Sequence, residues 1–412
     1  MTRRVVVTGL GTLSSIGNDT KTNWENMKNG VCGIAEIQGF DHTKTSVTLA
    51  GEVKGLDIVG ILGKKEAKKM DRFTQLAVIA SREAYQDANL EYNVNPQRFG
   101  VILSSGIGGI GTIETEVGKA IHKGYGRISP FFIPMVISNL AAGQVAIDLK
   151  AEGMVSCVVT ACAGGTNAIG DAFRHIRDGY AEVMIAGGSE ASVTPMAIGG
   201  FASMKALHEG ENPQRASIPF DVNRSGFVMG EGASVLVLEE YEHAKKRGAH
   251  IYAEMIGYGA TCDAYHITAP SPNGEGGARC MQQALNDAKI SYTDIDYINA
   301  HGTSTKLNDQ YETAAIHTVF KEHASKLMVS STKSMTGHML GATGGIEAMA
   351  CVKALEEGIV PPTINCKEQD PLCDLDVVPN VARTQEINYA LSNSLGFGGH
   401  NAAIIFKKYR ED

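Results

Sequence analysis

The chain has 412 residues, of which 43% are hydrophobic and 20% are charged, so it can bury a large core. Its net charge of -8 at pH 7 argues against general nucleic-acid binding, for which a basic surface is expected. No apolar stretch reaches the roughly 18 residues of a membrane-spanning helix. Length and composition therefore predict a cytoplasmic enzyme that uses neither a membrane nor nucleic acid.

Short apolar runs typical of buried strands recur along the chain, beginning with VVVTGLG. This first run is short and broken by glycines, which favours a strand over a signal peptide. Helical periodicity lies between several runs, for example at 74–87 and 277–288. The alternation predicts an α/β protein whose sheets are covered on both faces. The predicted strands are 4–8, 100–103, 155–159, 182–186, 234–238, 295–299, 326–330 and 402–406.

A lysine-rich segment, GKKEAKKMDRF, follows the first predicted strand. Spacings of four place Lys64 with Lys68, and Lys65 with Lys69, on adjoining stripes of a helix. Such a run is most often a solvated face, but it could also dock an acidic partner.

A formal GxGxxG pattern follows the second predicted strand, with Gly106, Gly108 and Gly111 in SSGIGGIGTIE. Such a pattern before a helix can bind a dinucleotide. An acidic residue is then expected about 20 residues later, at the end of a second strand, but KGYGRISPFF stands there. The sequence therefore disfavours a nicotinamide enzyme.

Cys162 stands where the apolar stretch VSCVV stops and a small-residue helix pattern begins. Unpaired N–H groups at a helix start, together with the helix dipole, favour negative charge and hence a thiolate. A cysteine here can be a nucleophile, although the commoner role of cysteine is a small buried hydrophobe. The other cysteines lack the paired spacings of zinc sites or redox disulfides and suit a reducing compartment. They are Cys32, Cys157, Cys262, Cys280, Cys351, Cys366 and Cys373.

The chain contains an internal repeat. GFVMGEGASVLVLEEYE, from Gly226, resembles GFGGHNAAIIFKKY, from Gly396. The strand, turn and helix around Cys162 are echoed by LMVSSTKSMTGHMLGATGGIEAMACVKALEEG. The sequence therefore predicts two similar halves, 1–249 and 250–412, joined near AKKRGAHIYAEMIGYG, where a charged helix end meets a new strand. Packed face to face, they would bring equivalent turns to one central cleft.

Two histidines of the second half lie at such turns. His301 opens HGTST directly after the predicted strand 295–299, and His338 lies in STKSMTGHMLGATGG before a helix. A single histidine is usually structural or a surface group. Both lie at the edge where Cys162 is also expected, and open α/β sheets carry chemistry at such strand ends. The three residues are therefore candidates for one site.

Four motifs make the sequence similar to the β-ketoacyl-acyl-carrier-protein synthases: TACAGG, NAHGTST, STKSMTGHMLGATGG and SNSLGFGGHN. The similarity runs from VVVTGLG to IIFKK and is greatest to the elongating condensing enzymes of bacterial fatty-acid synthesis. It implies a thiolase-like, five-layered α-β-α-β-α fold and a homodimer. It also implies a decarboxylating Claisen condensation of an acyl group with malonyl-acyl-carrier protein. His400 departs from the pattern, since threonine is also common in relatives.

The resemblance assigns the chemistry to four residues. Cys162 is the nucleophile that holds the acyl group as a thioester. Its backbone N–H and that of Phe397 stabilise the oxyanion, and the Phe397 ring gates entry of the acyl chain. His301 and His338 hydrogen-bond the thioester oxygen of the malonyl group as neutral imidazoles.

The resemblance assigns supporting roles to further residues. Lys333, with Glu347 as its acidic partner, orients the histidines and supports them electrostatically. Thr303 and Thr305 hydrogen-bond the phosphopantetheine arm, although such hydroxyls could also only satisfy a turn. Ile107 lines the acyl pocket, with Phe201 nearby, and both could equally be ordinary core residues.

The implied partner is the acidic acyl carrier protein, which brings phosphopantetheine with its substrate, so no separate cofactor and no catalytic metal are expected. The expected docking residues are Lys64, Lys65, Lys68, Lys69 and, more weakly, Lys205. Some relatives hold a structural monovalent cation near residues matching Asn299, Glu347, Ser392 and Asn393.

Three alternatives stay open. A polyketide-type ketosynthase would use the same residues on another substrate. A silent partner of the chain-length-factor kind would lack the nucleophile, which is present here. A thiolase would carry a second catalytic cysteine in place of a histidine, and a cysteine hydrolase would admit water to the acyl-enzyme.

Overall fold

The computed structural model describes residues 2–91 and 93–411 of an α/β protein. None of the helices in these two ranges combines the length and apolar character needed to cross a bilayer. The strands are β1 (Val5–Leu13), β2 (Ala35–Glu36), β3 (Leu49–Ala50), β4 (Phe99–Ser104), β5 (Val155–Val158), β6 (Val183–Glu190), β7 (Gly232–Glu240), β8 (Ala253–Cys262), β9 (Tyr297–Asn299), β10 (Met328–Ser330), β11 (Ile359–Val360), β12 (Arg383–Thr384), β13 (Tyr389–Gly396) and β14 (His400–Lys408). The helices are α1 (Thr20–Lys28), α2 (Ile58–Leu62), α3 (Lys64–Ala67), α4 (Arg72–Asp87), α5 (Ile110–Lys123), α6 (Phe132–Val136), α7 (Leu140–Leu149), α8 (Gly164–Arg177), α9 (Pro195–Ser203), α10 (Tyr241–Lys246), α11 (Glu275–Ala288), α12 (Lys306–Phe320), α13 (Lys333–Thr336) and α14 (Thr343–Glu357).

Ten strands form one large sheet with an internal symmetry. Its order is β10-β9-β13-β14-β8-β1-β7-β6-β4-β5. In the first half, β5, β4 and β6 are parallel, while β7 and β1 are antiparallel to their neighbours. The second half repeats the pattern with β10, β9 and β13 parallel, followed by antiparallel β14 and β8. The halves join where β1 pairs with β8, at Val5 with Met255.

The side chains of each half-sheet point alternately to an inner and an outer layer of helices. On β4, Ile102 packs in a central core with α8 and α14, whereas Val101 and Leu103 pack outside with α4 and α7. On β14, Ile404 belongs to the central core and Ile405 to an outer core with α11 and α12. The layers are therefore helix, sheet, helix, sheet, helix, which confirms the five-layered fold that the resemblance implied.

The eight predicted strands are all present with shifted ends; the first, for example, continues to Leu13. The predicted helices begin slightly earlier, at Arg72 and Glu275. Strand β13 was not predicted. Its buried middle is Ser392, Asn393 and Ser394, so the sequence shows no apolar run there.

The two central helices meet at their first turns, where only glycine fits. A Cβ on Gly344 would lie 2.2 Å from the backbone nitrogen of Thr166, and one on Gly165 would lie 2.8 Å from the carbonyl oxygen of Gly341. Contacts this short exclude any side chain. The loops that lead into α8 and α14 are thereby brought together at the carboxyl ends of the strands.

Candidate active site

Cys162 lies in a single 3-10 turn, Ala161–Ala163, directly before α8. The preceding Ala161 has a φ of 49°, in the left-handed region that non-glycine residues rarely adopt. The Cys162 side chain is buried and packs in an apolar cluster that includes Ile198 and Leu340. The sequence therefore located the thiol correctly, at a tight turn between a strand and a helix.

The thiol is held in its neutral form in this cavity. Burial raises the pKa of Cys162 to about 12, and the buried Glu190 carboxylate acts in the same direction. The Lys333 charge and the backbone N–H groups of Phe397 and Cys162 lower the pKa, but by less. Desolvation therefore acts against the thiolate that the helix start was expected to favour.

His301 follows β9 and is held by its backbone on both sides. Its N–H and that of Gly302 each donate to one oxygen of Glu312, at 2.8 Å in both cases. Its carbonyl accepts a hydrogen bond from Nζ of Lys333. The ring is buried, and burial followed by the charge of Lys333 lowers its pKa well below the usual range. His301 is therefore a neutral imidazole in a fixed position.

His338 lies beside His301, with ring centroids 5.4 Å apart and planes at 86°. The edge of Phe227 contacts it from another side, with centroids 5.2 Å apart. Its Nδ1 lies 3.0 Å from the hydroxyl of Thr343, whereas its Nε2 is buried without a hydrogen-bond partner in the described ranges. Burial and the charge of Lys333 lower its pKa well below the usual range, so this imidazole is also neutral.

Lys333 and Glu347 form a buried ion pair behind the histidines. Lys333 is 1% exposed and Glu347 is 0% exposed, so neither reaches solvent. Nζ donates to Oε1 of Glu347 and lies 3.5 Å from Nδ1 of His301. Burial raises the pKa of Glu347 to about 7, while the charge of Lys333 opposes the rise. Lys333 of this pair thus holds its positive charge in a fixed position beside the imidazoles.

One cavity of about 680 Å³ joins residues of the two halves. The described residues that line it include Cys162, Phe201, Lys205, His301, Thr303, Thr305, His338 and Phe397. The hydroxyls of Thr303 and Thr305 are 3.0 Å apart on the same wall. Glu347 lies behind Lys333 and does not line the cavity. Ile107 packs with Phe201 against the apolar cluster that contains Cys162.

Phe397 lies on a glycine-rich turn at the end of β13. Gly398 and Gly399 have φ values of 82° and 75°, which favour glycine. The Phe397 ring lies over Phe201, with centroids 6.2 Å apart. The ring of His400 lies close to Gly398, since a Cβ on this glycine would be 3.1 Å from Nε2 of His400. This side chain therefore packs on the turn that carries Phe397.

The lysines that were expected to dock a carrier protein lie in two places. Lys64, Lys65, Lys68 and Lys69 line a separate depression of about 670 Å³ together with Phe131. Helix α3 is a single turn that ends at Ala67, so the two predicted helical stripes are wrong. A helix of four residues cannot present residues at two successive turns. Lys205 instead lies at the catalytic cavity, directly after α9.

The GxGxxG segment is an internal turn of the protein. The N–H groups of Gly106 and Ile107 donate to Glu190, at 2.6 and 3.2 Å. The N–H of Gly108 donates to the hydroxyl of Ser105. The backbone donors that would hold a pyrophosphate are thus occupied by protein groups, which excludes dinucleotide binding at this loop.

Sequence reasoning missed three residues that hold the site together. Glu312 anchors the His301 backbone, Glu190 accepts hydrogen bonds from the loops of Ile107 and Gly341, and Thr343 contacts His338. Glu190 acts between segments far apart in the chain. Glu312 and Thr343 act across turns whose geometry no spacing rule gives. Only Thr343 had a sequence signal, since it lies within the motif around His338.

Three buried oxygens of the residues expected near a cation lack hydrogen-bond partners in the described ranges. They are Oδ1 of Asn299, Oγ of Ser392 and Oε2 of Glu347, and the first two belong to paired residues of β9 and β13. An oxygen-only set suits a hard cation such as a monovalent ion. No group of three or more His, Cys, Asp or Glu within 2–91 and 93–411 is arranged to bind a metal ion.

Comparison with known proteins agrees with this geometry. The family described as "Beta-ketoacyl synthase, N-terminal domain" matches residues 2–244, and "Beta-ketoacyl synthase, C-terminal domain" matches residues 252–367. The chain belongs to the β-ketoacyl synthase family. It is an acyl-transferring condensing enzyme.

Several relatives match over nearly their whole length. The chain is 55% identical over 408 residues to "3-oxoacyl-[acyl-carrier-protein] synthase 2" of Staphylococcus aureus (strain COL), covering 99% of each chain. It is 52% identical over 410 residues to the protein of the same name from Synechocystis sp. (strain ATCC 27184 / PCC 6803 / Kazusa), again covering 99% of each.

Solved ketosynthase structures share the fold. A chain from a complex of a type II polyketide synthase acyl-carrier protein with its ketosynthase has a TM-score of 0.92 at 39% identity, covering 99% of this chain and all of that chain. A β-ketoacyl synthase from Burkholderia phymatum STM815 has a TM-score of 0.92 at 33% identity, with the same coverage.

The neutral thiol gives a testable pH dependence. Since the thiolate is the reactive form and the pKa is about 12, alkylation of Cys162 by iodoacetamide should rise about tenfold per pH unit from pH 6 to pH 9. Mass spectrometry of the peptide that contains Cys162 separates this thiol from the exposed Cys262. A rate that levels off below pH 8 would show that the helix start outweighs burial.

Proposed function

We propose that this enzyme catalyses the decarboxylating condensation of an acyl group, held on Cys162, with malonyl-acyl-carrier protein in fatty-acid elongation. The observation that carries the proposal is the single cavity in which Cys162 meets His301 and His338. The relatives of 52 to 55% identity are named 3-oxoacyl-acyl-carrier-protein synthase 2. The polyketide ketosynthase chain is 39% identical, which makes polyketide extension the second candidate.

The first half-reaction transfers the acyl group to the enzyme. The Cys162 sulfur forms a bond to the thioester carbon, the bond from that carbon to the pantetheine sulfur breaks, and the proton of Cys162 ends on the departing thiol. After the sulfur has attacked and before the pantetheine thiol leaves, negative charge develops on the carbonyl oxygen. The backbone N–H groups of Cys162 and Phe397 both reach the Cys162 sulfur and are therefore placed to stabilise that charge.

The second half-reaction joins the carbons. The bond from the malonyl α-carbon to its carboxylate breaks, carbon dioxide leaves, and the electron pair attacks the acyl carbon on Cys162. The sulfur then leaves and takes up a proton from water. As carbon dioxide leaves, negative charge develops on the malonyl thioester oxygen. The N–H groups of His301 and His338 stabilise this charge. Both imidazoles are neutral, so each has one N–H group to donate.

The roles of the supporting residues follow from their contacts. Lys333 fixes the backbone of His301, and its charge adds to burial in keeping both imidazoles neutral, while Glu347 pairs with Lys333. Thr303 and Thr305 hydrogen-bond the pantetheine arm from the cavity wall. Behind the thiol, Phe397 gates an acyl pocket formed by Ile107 and Phe201, whose depth sets the acyl-chain length. The arm arrives on the carrier protein, so the enzyme holds no cofactor.

The proposed function is tested with hexanoyl or longer acyl carrier protein and labelled malonyl carrier protein. The expected products are a β-ketoacyl carrier protein and labelled carbon dioxide, with an acyl-enzyme at Cys162. Carbon dioxide without a β-ketoacyl product, or no acyl group on Cys162, would overturn the proposal. The second candidate is tested with a series of polyketide-type substrates. A kcat/KM higher than that for the simple acyl chains would favour polyketide extension.

The acidic carrier protein docks on the lysines. Lys64, Lys65, Lys68 and Lys69 surround a depression whose apolar wall is Phe131, 42% exposed. Lys205 adds a positive charge beside the catalytic cavity. Positive charge around an apolar patch suits an acidic helical partner, and it favours encounter at low salt. A carrier protein is also present in the complex of the polyketide ketosynthase.

Charge reversal tests this docking surface. The Lys65→Glu/Lys69→Glu variant should raise KM for carrier-protein substrates by roughly tenfold because two attractive contacts become repulsive. Transfer from a small thioester should be unaffected. Lys289→Glu/Lys326→Glu changes the net charge equally on exposed residues elsewhere and serves as the control. Equal losses with carrier-protein and small thioester substrates, or equal effects of the two variants, would contradict docking at this surface.

The enzyme forms a homodimer through the face that carries β5. Strand β5 ends the ten-stranded sheet and leaves its outer edge unpaired. Large apolar side chains are exposed on neighbouring segments: Ile113, Val117, Ile121, Ile133, Ile147 and Val159. An exposed apolar face beside a free strand edge favours pairing with another copy about a twofold axis.

Charged substitutions test the dimer. Sedimentation should show a dimer for the wild-type enzyme and a monomer for Ile121→Lys/Ile147→Lys, because two lysines would be buried in the interface. Val381, 75% exposed and far along the chain, provides Val381→Lys as a control that stays dimeric. A monomeric wild type at micromolar concentration would refute the proposal.

Two further expectations belong with this function. The proposed units are residues 1–249, which supply the nucleophile, and residues 250–412, which supply the histidines. The proposed location is the cytoplasm, which agrees with eight cysteines that are all free thiols.

A further inference from the structure

Thr343 begins the central helix α14 and contacts the second active-site histidine. Its side chain is 1% exposed, and its Oγ1 lies 3.0 Å from Nδ1 of His338. The other ring nitrogen, Nε2, is buried, and the described protein offers it no hydrogen-bond partner. His338 therefore has one nitrogen held by the protein and one available to a substrate in the cavity.

The ring cannot reorient freely. His301 and Phe227 pack edge-on against it, with ring centroids at 5.4 and 5.2 Å. The backbone is fixed as well, because the N–H of His338 donates to the carbonyl of Val228 at 2.7 Å. What remains to be set is the position of the single proton of the neutral imidazole, on Nδ1 or on Nε2.

We propose that Thr343 is a positioning residue whose hydroxyl donates to Nδ1 of His338 and so places the ring proton on Nε2. This rests on the proposed function, in which Nε2–H is the donor to the thioester oxygen. With the proton on Nδ1 instead, Nε2 would present a lone pair to the negative charge that develops there, which is repulsive.

The direction of the hydrogen bond follows from the surroundings of the hydroxyl. In the described ranges, the Thr343 hydroxyl has no hydrogen-bond partner other than Nδ1 of His338. If Nδ1 carried the proton, the buried hydroxyl hydrogen would be left without an acceptor, which costs free energy. If the hydroxyl donates, its hydrogen is satisfied, and the one unpaired donor is Nε2–H, which meets the substrate. A partner of a functional histidine commonly selects its tautomer in this way.

The tautomer is measured directly by ¹⁵N NMR of histidine-labelled enzyme, in which protonated and unprotonated ring nitrogens have well-separated shifts. The His338 signals are assigned by their loss in His338→Ala. Wild-type enzyme should show a protonated Nε2 and an unprotonated Nδ1. A protonated Nδ1 in the wild type would overturn the inference without any need for a variant at Thr343.

Variants at Thr343 test the consequence for catalysis. Thr343→Val keeps the shape but removes the donor, so the proton should redistribute toward Nδ1, and the condensation rate should fall about 10- to 100-fold. Acylation of Cys162 uses backbone donors and should fall much less. Thr343→Ser retains a hydroxyl and should restore both the tautomer and the rate.

The outcomes separate this inference from the proposed function. An unchanged tautomer in Thr343→Val, or equal losses of acylation and condensation, would overturn the role of Thr343 while His338 keeps its own. Condensation at the wild-type rate in His338→Ala would instead overturn the proposed role of His338, and this inference with it.

Discussion

The site depends on the close contact between the first turns of the two central helices. A side chain on Gly344 would collide with the backbone of Thr166, and one on Gly165 would collide with Gly341. Because the helices start in contact, the turns that precede them also meet. Cys162 enters from the first half and His338 from the second, so the duplicated fold produces one shared site rather than two.

Burial determines the charge state of that site. It keeps the thiol of Cys162 and both imidazoles neutral. The charged groups beside them form one buried ion pair. Removing one partner of such a pair typically costs about 3–5 kcal/mol, because the other charge is left uncompensated. Lys333 is thus held in place by Glu347 and acts on His301 by charge and by hydrogen bond. Neutral hydrogen-bond donors are well suited to a reaction whose negative charge on oxygen is transient.

The sequence patterns predicted an α/β protein with covered sheets and the site's central residues, because both depend on local signals, whereas the five layers were implied by the resemblance. Apolar runs give strands, and the motifs around Cys162, His301 and His338 each lie at the end of one. Strand β13 was missed because buried Ser392 and Ser394 stabilise it through packing that no pattern reveals. Glu190 was missed because it satisfies backbone donors from a distant segment, and Glu312 because its contact with the His301 backbone depends on the turn between them. Burial raises the pKa of Cys162, against the direction expected from the helix start, because burial is a property of the whole fold, whereas the helix start is visible locally.

The central claim is that Cys162 carries the acyl group while the two histidines serve only the condensation. Intact-protein mass spectrometry tests it most directly, with His301→Ala and His338→Ala compared with wild type in a single turnover. Each enzyme is first treated with an acyl thioester and then with malonyl carrier protein. The account predicts that both variants gain the acyl mass on Cys162 and retain it after malonyl carrier protein is added, whereas the wild type loses it. A variant that cannot be acylated, or that discharges its acyl group into β-ketoacyl product at the wild-type rate, would contradict the account.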